Sequence, residues 1–129
     1  MAKKPSRSKL VKQLDSIFSI YIRRTDSVNN IATCFTCGKK DHYKKLQNGH
    51  FQSRRHYSTR WLEQNCAVQC PGCNIFKAGE QFIFGQNLDI KFGEGTARQL
   101  HIQAQKILKI TNAEIIEKIK LYKSFVDKL

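Results

Sequence analysis

Two cysteine knuckles, Cys34-x-x-Cys37 and Cys70-x-x-Cys73, enclose a Gly49-His50 step, and the second knuckle runs directly into Asn74. Four thiolates in two such pairs suit one tetrahedral zinc that fastens two distant points of the chain together. The segment between them is then held as a rigid loop or hairpin with His50 in its middle. An imidazole with an ordinary pKa of about 6.5 can take a proton from water at neutral pH. Around it stand Arg54, Arg55, His56 and Arg60. Neighbouring cations depress a histidine pKa and keep the ring neutral, the form a general base needs. Arginines can also hold phosphates bidentately. The fifth cysteine, Cys66, is flanked by Ala67 and Val68 and reads as a buried strand thiol rather than as a further ligand or a nucleophile.

These residues need elements to position them. From Lys9 to about Asp26, Leu10, Leu14, Ile17, Phe18 and Tyr21 recur at helical spacing, with Lys12 and Arg23 on the opposite face. This predicts a half-buried amphipathic helix ended by Asn29-Asn30. Residues 31 to 73 are irregular and rich in turn residues, with strand-like pieces near 46–52 and 66–69, and a short helix is expected just after Cys73. Gly79, Gly85, Gly93 and Gly95 punctuate a stretch read as loop-rich, containing Phe82, Phe84 and Phe92. Two helices are expected to close the chain. The first runs from about Thr96 to Ile110 with a stripe of Leu100, Ala104, Ile107 and Leu108. The second starts at Thr111, where Thr111-Asn112-Ala113-Glu114 reads as a capping box, and its stripe is Ile115, Ile119, Tyr122 and Val126. The organisation is a basic arm over residues 1–8 and one small α+β domain over 9–129, its core at 31–90 and its C-terminal helices at 96–128.

A chain of 129 residues with a formal net charge of +13 attracts polyanions, of which nucleic acid is the commonest in a cell. No apolar run reaches membrane-spanning length, and Met1-Ala2-Lys3-Lys4-Pro5 lacks the apolar stretch of a secretion signal. Cysteines spaced for metal rather than for disulfides fit a reducing compartment, so a cytoplasmic location is expected.

The motif order Cys-x-x-Cys, Gly-His, Asn65, Cys-x-x-Cys-Asn resembles the HNH or ββα-metal nuclease fold in its zinc-stapled form, as in phage endonuclease VII. A longer stretch is similar to one family within it. Gly49-His50-Phe51-x-Ser53-Arg54-Arg55-His56, Thr59-Arg60-Trp61, Asn65, Gln69-Cys70-x-x-Cys73-Asn74 and Gly93-Glu94-Gly95-Thr96-Ala97 resemble the lambdoid NinG/Rap recombination endonucleases. Tyr21-Ile22-Arg23-Arg24-Thr25-Asp26 before the first knuckle fits the same pattern. The resemblance spans roughly residues 10 to 100. It implies a metal-dependent endonuclease that cuts branched recombination intermediates such as displacement loops and Holliday junctions. By position, His50 would be the general base. Asn74 would give an oxygen to a catalytic divalent ion, Mg²⁺ or another, which stabilises charge on the leaving 3′ oxygen. Asn65 would hold the histidine-bearing loop by hydrogen bonds.

One departure stands out. Many relatives carry aspartate immediately before the histidine as the second metal ligand, and here that position is Gly49. His56 is the favoured substitute, with Asp41, His42 and Glu80 as alternatives. Arg54, Arg55, Arg60 and Lys77 are the expected DNA contacts, and the C-terminal stripes are broad enough for a homodimer interface as well as for closing the core. A non-catalytic zinc ribbon that holds DNA explains the charge and the cysteines equally well, but gives no role to His50 and Asn74. Both readings predict that affinity for DNA falls steeply with salt. Each neutralised phosphate contributes a slope of about −0.9 in log K against log salt. Binding titrations across a salt series test this, and a salt-independent affinity would leave the +13 charge without a polyanion partner.

Overall fold

The computed structural model describes residues 4–129, so the first three residues of the expected arm lie outside the described residues. The N-terminal helix α1 spans Arg7–Thr25, two residues earlier than the apolar spacing suggested. Its start is set by Ser6, whose hydroxyl accepts the Lys9 N–H at 3.3 Å. Leu10, Leu14, Phe18 and Ile22, spaced by four, form its buried face. Arg23 and Arg24 close the last turn, where the helix dipole favours cations.

Two small antiparallel sheets follow. β1 (Ile31–Thr33) pairs with β2 (Lys40–His42), and the first cysteine knuckle forms the tip between them. β3 (Gln47–His50) pairs with β4 (Cys66–Gln69), in a register that sets Gly49 opposite Ala67 and His50 opposite Cys66. Between β3 and β4 lies the short helix α2 (Tyr57–Arg60). All four residues of β4 are buried, so this strand is covered on both faces. One face meets α1 and the other meets α3 (Gln81–Phe92). Within the second knuckle the chain enters a single wide turn over Gly72–Phe76, which begins one residue before Cys73, where a short helix was expected just after it. The result is an α+β fold of helices around two short hairpins.

The C-terminal helix α5 (Asn112–Asp127) begins with the capping box read from the sequence. The Thr111 hydroxyl accepts the Glu114 N–H at 3.1 Å, and the Glu114 carboxylate accepts the Thr111 N–H at 3.2 Å. Its apolar stripe lies along α1. Ile115 is fully buried, and the Tyr122 ring meets Phe18 edge-on at 4.9 Å between centroids.

Two expectations are corrected. The stretch 79–95 is not loop-rich, because α3 occupies most of it. Gly79 and Gly93, with φ of +85° and +118°, bracket the helix, while Gly85 lies inside it. A side chain at position 85 would meet the Phe51 ring at 3.3 Å, so this glycine serves close packing rather than a turn. Phe84 and Leu88, four apart, are fully buried.

The next helix, α4 (Thr96–Ala104), also ends well before Ile110. The Ser58 hydroxyl donates to the Gln103 carbonyl at 2.7 Å, and Gln105 and Lys106 make tighter i→i+3 bonds that close the helix. Leu100 and Ala104 are buried as the stripe predicted, but Ile107 is 91% exposed and Leu108 is also exposed. Ile110 returns to the core beneath α5.

Phe18 sits where α1, α5 and the strands meet, with no exposed surface. Phe18→Ala should cost about 3–5 kcal/mol of unfolding free energy. Urea melts of the zinc-loaded chain test this, and a loss below about 1 kcal/mol would show that α1 and α5 do not share one core.

Candidate functional site

The β1–β2 tip and the turn after β4 bring Cys34, Cys37, Cys70 and Cys73 together, with all four sulfurs within 4.8 Å of one another. Cys37 Sγ and Cys70 Sγ are 3.7 Å apart. A Zn–S bond of about 2.3 Å gives sulfur–sulfur edges of about 3.8 Å in a tetrahedron, so the cluster has the right size for zinc. Local backbone geometry builds it. The Cys34 N–H donates to the Lys39 carbonyl at 2.7 Å, and the Gly38 N–H donates to the Cys34 carbonyl at 3.0 Å. Gly38, at φ +81°, turns the knuckle. The Cys73 N–H points at Cys70 Sγ at 3.4 Å, the arrangement that supports a thiolate.

The thiols respond unequally. Burial pushes Cys34 up, but hydrogen bonds from Cys70 and Thr36 outweigh it and bring the thiol down to about 6. Burial pushes Cys73 up to about 12. Several thiolates can share so small a space only with a cation among them, and these four residues, three buried and Cys37 exposed, can hold a zinc ion. Cys66 stands apart on β4. Its thiol is buried and held up by that burial, and it is not among the four.

Gln69, with no exposed surface, braces the two knuckles against each other. Its amide nitrogen donates to Thr36 Oγ1 at 3.1 Å and to the Gly79 carbonyl at 2.9 Å. Its Oε1 lies where a side chain at position 49 would begin, 2.0 Å from an ideal Cβ there. With Gln69 in this conformation, its Oε1 itself without a hydrogen-bond partner, there is no room for a side chain at position 49.

Next to the centre, a cleft of about 430 Å³ is lined by Asp15, Ser19 and Arg23 of α1, Leu46, Gln47, Asn48 and His50 on or beside β3, Arg54, and Asn74. His50 Nε2 lies 3.0 Å from the Arg60 carbonyl oxygen. A carbonyl has no proton to give, so Nε2 carries the hydrogen and Nδ1 keeps the lone pair. Burial, the largest influence, lowers the His50 pKa. The Arg60 carbonyl and Asp15 oppose this, while Arg54 and Arg60 add to it. Asn65 is fully buried and clamps the chain after His50. It accepts the Gln52 N–H at 2.8 Å and donates to the Gln52 carbonyl at 3.0 Å. Its own carbonyl accepts the Phe51 N–H at 2.8 Å. The Asn74 amide nitrogen donates to Gln47 Oε1 at 2.8 Å, and its Oδ1 makes no hydrogen bond among the described residues. Asn48 Oδ1 is buried without a partner.

The structure brings His50, Asn74 and Arg54 to one cleft, with Asn65 behind the loop. His56 is not there. It precedes α2, its carbonyl accepts the Thr59 and Arg60 N–H groups, and it lines a separate hollow with Tyr57 and residues 104–108. Asp41, His42 and Glu80 do not line the cleft either. Asp41 accepts the His42 N–H, His42 accepts the Lys44 N–H, and Glu80 is a left-handed residue before α3.

Arg60, expected to meet DNA, is committed elsewhere. Its guanidinium grips both carboxylate oxygens of Asp15, its Nε at 3.1 Å, and its side chain is only 14% exposed. It also lies 5.3 Å from the Trp61 ring centroid. Arg54 makes only a long ion pair with Asp15, Nη1 to Oδ2 at 3.9 Å, and its 64% exposed side chain can still meet a ligand. Arg55 and Lys77 are exposed outside the cleft lining.

The sequence reading did not find Asp15, Gln47, Asn48 or Gln69. Asp15, Ser19 and Arg23 are spaced by four along α1, and that polar stripe beside the apolar one was the available signal. Gln69 stands in the motif at the second knuckle, but its role and that of Asn48 show only once strand pairing reveals what they touch. The family model for the bacteriophage lambda NinG protein matches residues 1–129. Among curated proteins and among solved structures, none matches the chain.

Removing the metal should unfold the chain, because structural zinc contributes roughly 10–16 kcal/mol in small metal-stapled units, comparable with a domain's whole net stability. Metal analysis should return one zinc per chain, and a strong chelator or Cys70→Ser should lower the melting temperature sharply. A zinc-free chain of full stability would contradict the site.

Proposed function

The chain belongs to the bacteriophage lambda NinG family, a phage recombination-associated family, and from that membership and the cleft we propose that it is a metal-dependent DNA endonuclease acting on branched recombination intermediates. The observation that carries the reading is that one cleft is lined both by His50, whose imidazole is oriented by the Arg60 carbonyl, and by Asn74, whose amide oxygen makes no hydrogen bond.

His50 does the proton chemistry. With Nε2–H held by the Arg60 carbonyl, Nδ1 receives a proton from an attacking water. The environment that lowers its pKa keeps the ring neutral and ready at physiological pH. Arg60 is locked by Asp15 and so presents its carbonyl in a fixed place. Asn65 fixes the loop on the other side of His50. Arg54, exposed at the rim, offers a guanidinium to backbone phosphates. When bound, a divalent cation supplies positive charge to the scissile phosphate and the leaving oxygen. Asn74 is a residue that would hold it. The net charge of +13 fits a DNA partner, and branched DNA is the substrate class that the family membership favours.

Purified zinc-loaded protein incubated with labelled linear, looped and four-way-junction DNA, with and without Mg²⁺, tests the reading. His50→Ala should lose about 10²–10⁴ in cleavage rate and leave DNA affinity within a few-fold. The rate should hold at neutral pH and fall only as the pH drops through a midpoint below 6.5, because the folded-state pKa of His50 lies under its ordinary value. The same sign applies to stability. His50 favours the fold above the unfolded pKa, and that contribution is lost as the pH falls through the folded one. A His50→Ala protein that cuts at the wild-type rate would remove the assignment. Junction binding without any cleavage would favour the non-catalytic zinc ribbon.

A further inference from the structure

We propose that Gln47 is the second oxygen ligand of the cation in this cleft, paired with Asn74. The inference rests on the reading of the cleft as a cation-dependent nuclease site, and it assigns the ligand that Gly49 does not supply. Position 49 is closed to side chains by Gln69, and the substitutes suggested by the sequence lie elsewhere. The carboxylate on the cleft wall, Asp15, is taken up by Arg60 and by the Trp61 indole N–H at 2.9 Å. Gln47, by contrast, is in direct contact with Asn74.

The distance of that contact is informative. Asn74 Nδ2 and Gln47 Oε1 are 2.8 Å apart. Rotating the Asn74 amide by half a turn exchanges its nitrogen and oxygen, which puts two oxygens at that same separation. Two bare carbonyl oxygens so close repel each other, so without a cation the amide-to-carbonyl bond is the resting arrangement. Adjacent ligands around an octahedral Mg²⁺, at about 2.0–2.1 Å from the metal, stand about 2.8–3.0 Å apart. The pair is therefore already spaced as neighbouring ligands and needs one amide turn to become them. β3 and the turn after the second knuckle carry the two residues, so the zinc centre fixes their separation.

Two neutral amides bring no charge. The free chain should bind such a cation weakly, and DNA phosphate should supply the negative charge that completes the site. Gln47→Glu adds that charge within the protein, so it should tighten cation binding where Gln47→Ala weakens it.

The test uses zinc-loaded full-length protein in a His50→Ala background, so that junction DNA stays intact, with Mn²⁺ binding followed by electron paramagnetic resonance. With a four-way junction present, Gln47→Ala should weaken Mn²⁺ binding by about tenfold or more, and without DNA Gln47→Glu should tighten it by about as much. Zinc content and circular dichroism confirm that each variant is folded, and the glutamate variant guards against a misfolded alanine one. Mg²⁺ added to the junction complex should also shift the Asn74 side-chain amide resonances. Mn²⁺ binding within twofold of the parent in both variants, or no Mn²⁺ binding by the parent, would overturn the assignment. Cleavage is measured separately on chains that retain His50. Active cleavage with Gln47-independent Mn²⁺ binding would sink the ligand and spare the nuclease reading. Gln47-dependent Mn²⁺ binding by a chain that cuts no DNA would do the reverse.

Discussion

Everything in this structure depends on four sulfurs sharing one small volume. Thiolates placed this close repel unless a cation lies between them, and burial drives the Cys73 thiol toward its neutral form. Once satisfied, the cluster joins the tip of the first hairpin to the turn after β4. That junction fixes β4, and β4 fixes the register of β3 and so the place of His50. A chain of 129 residues with two short sheets has little backbone pairing of its own to do this.

A second set of contacts converts that scaffold into a chemically biased cleft. Asp15 reaches across from α1 to hold Arg60 and Trp61, and the Arg60 backbone in turn holds His50. The carboxylate offsets the arginine charges that would otherwise depress the imidazole further, so burial and two cations act against one anion and one carbonyl. The same ion pair removes Arg60 from the surface and leaves Arg54 to present the charge there. A cationic residue in a basic protein is thus not automatically part of its binding face. Here one of two neighbouring arginines is internal architecture.

Much of this was legible in the residues. Knuckle spacing named the four cysteines that cluster closely enough to hold a metal, the helical periods of α1 and α5 named their buried faces, and the capping box at Thr111 marked the α5 start where it occurs. Three failures have physical causes. Glycines at 79, 85, 93 and 95 looked like loop punctuation, but Gly85 is small because Phe51 presses on it and the outer ones flank a helix. α4 stopped early because a serine from α2 engages a carbonyl near its end, a long-range contact that no local pattern encodes. His56 is close in sequence to His50, yet it caps the start of α2 and lines a hollow with the 104–108 segment, not the cleft. The helix α1, far away in sequence, supplies the cleft wall instead.

Gly49 and Gln69 have a consequence for how such a site can change over generations. The two are mutually exclusive volumes, since the amide oxygen of one fills the side-chain space of the other. A larger residue at 49 needs the Gln69 side chain to move or to shrink. Shrinking 69 first empties a sealed interior space and strands the Thr36 hydroxyl and the Gly79 carbonyl that its amide satisfies. A first step on either side disturbs the other residue, although shrinking 69 also removes the buried, unpartnered Gln69 Oε1. A lineage holding this pair has little access to an acidic residue before its histidine, and must find its metal-binding oxygens at other positions along the strand.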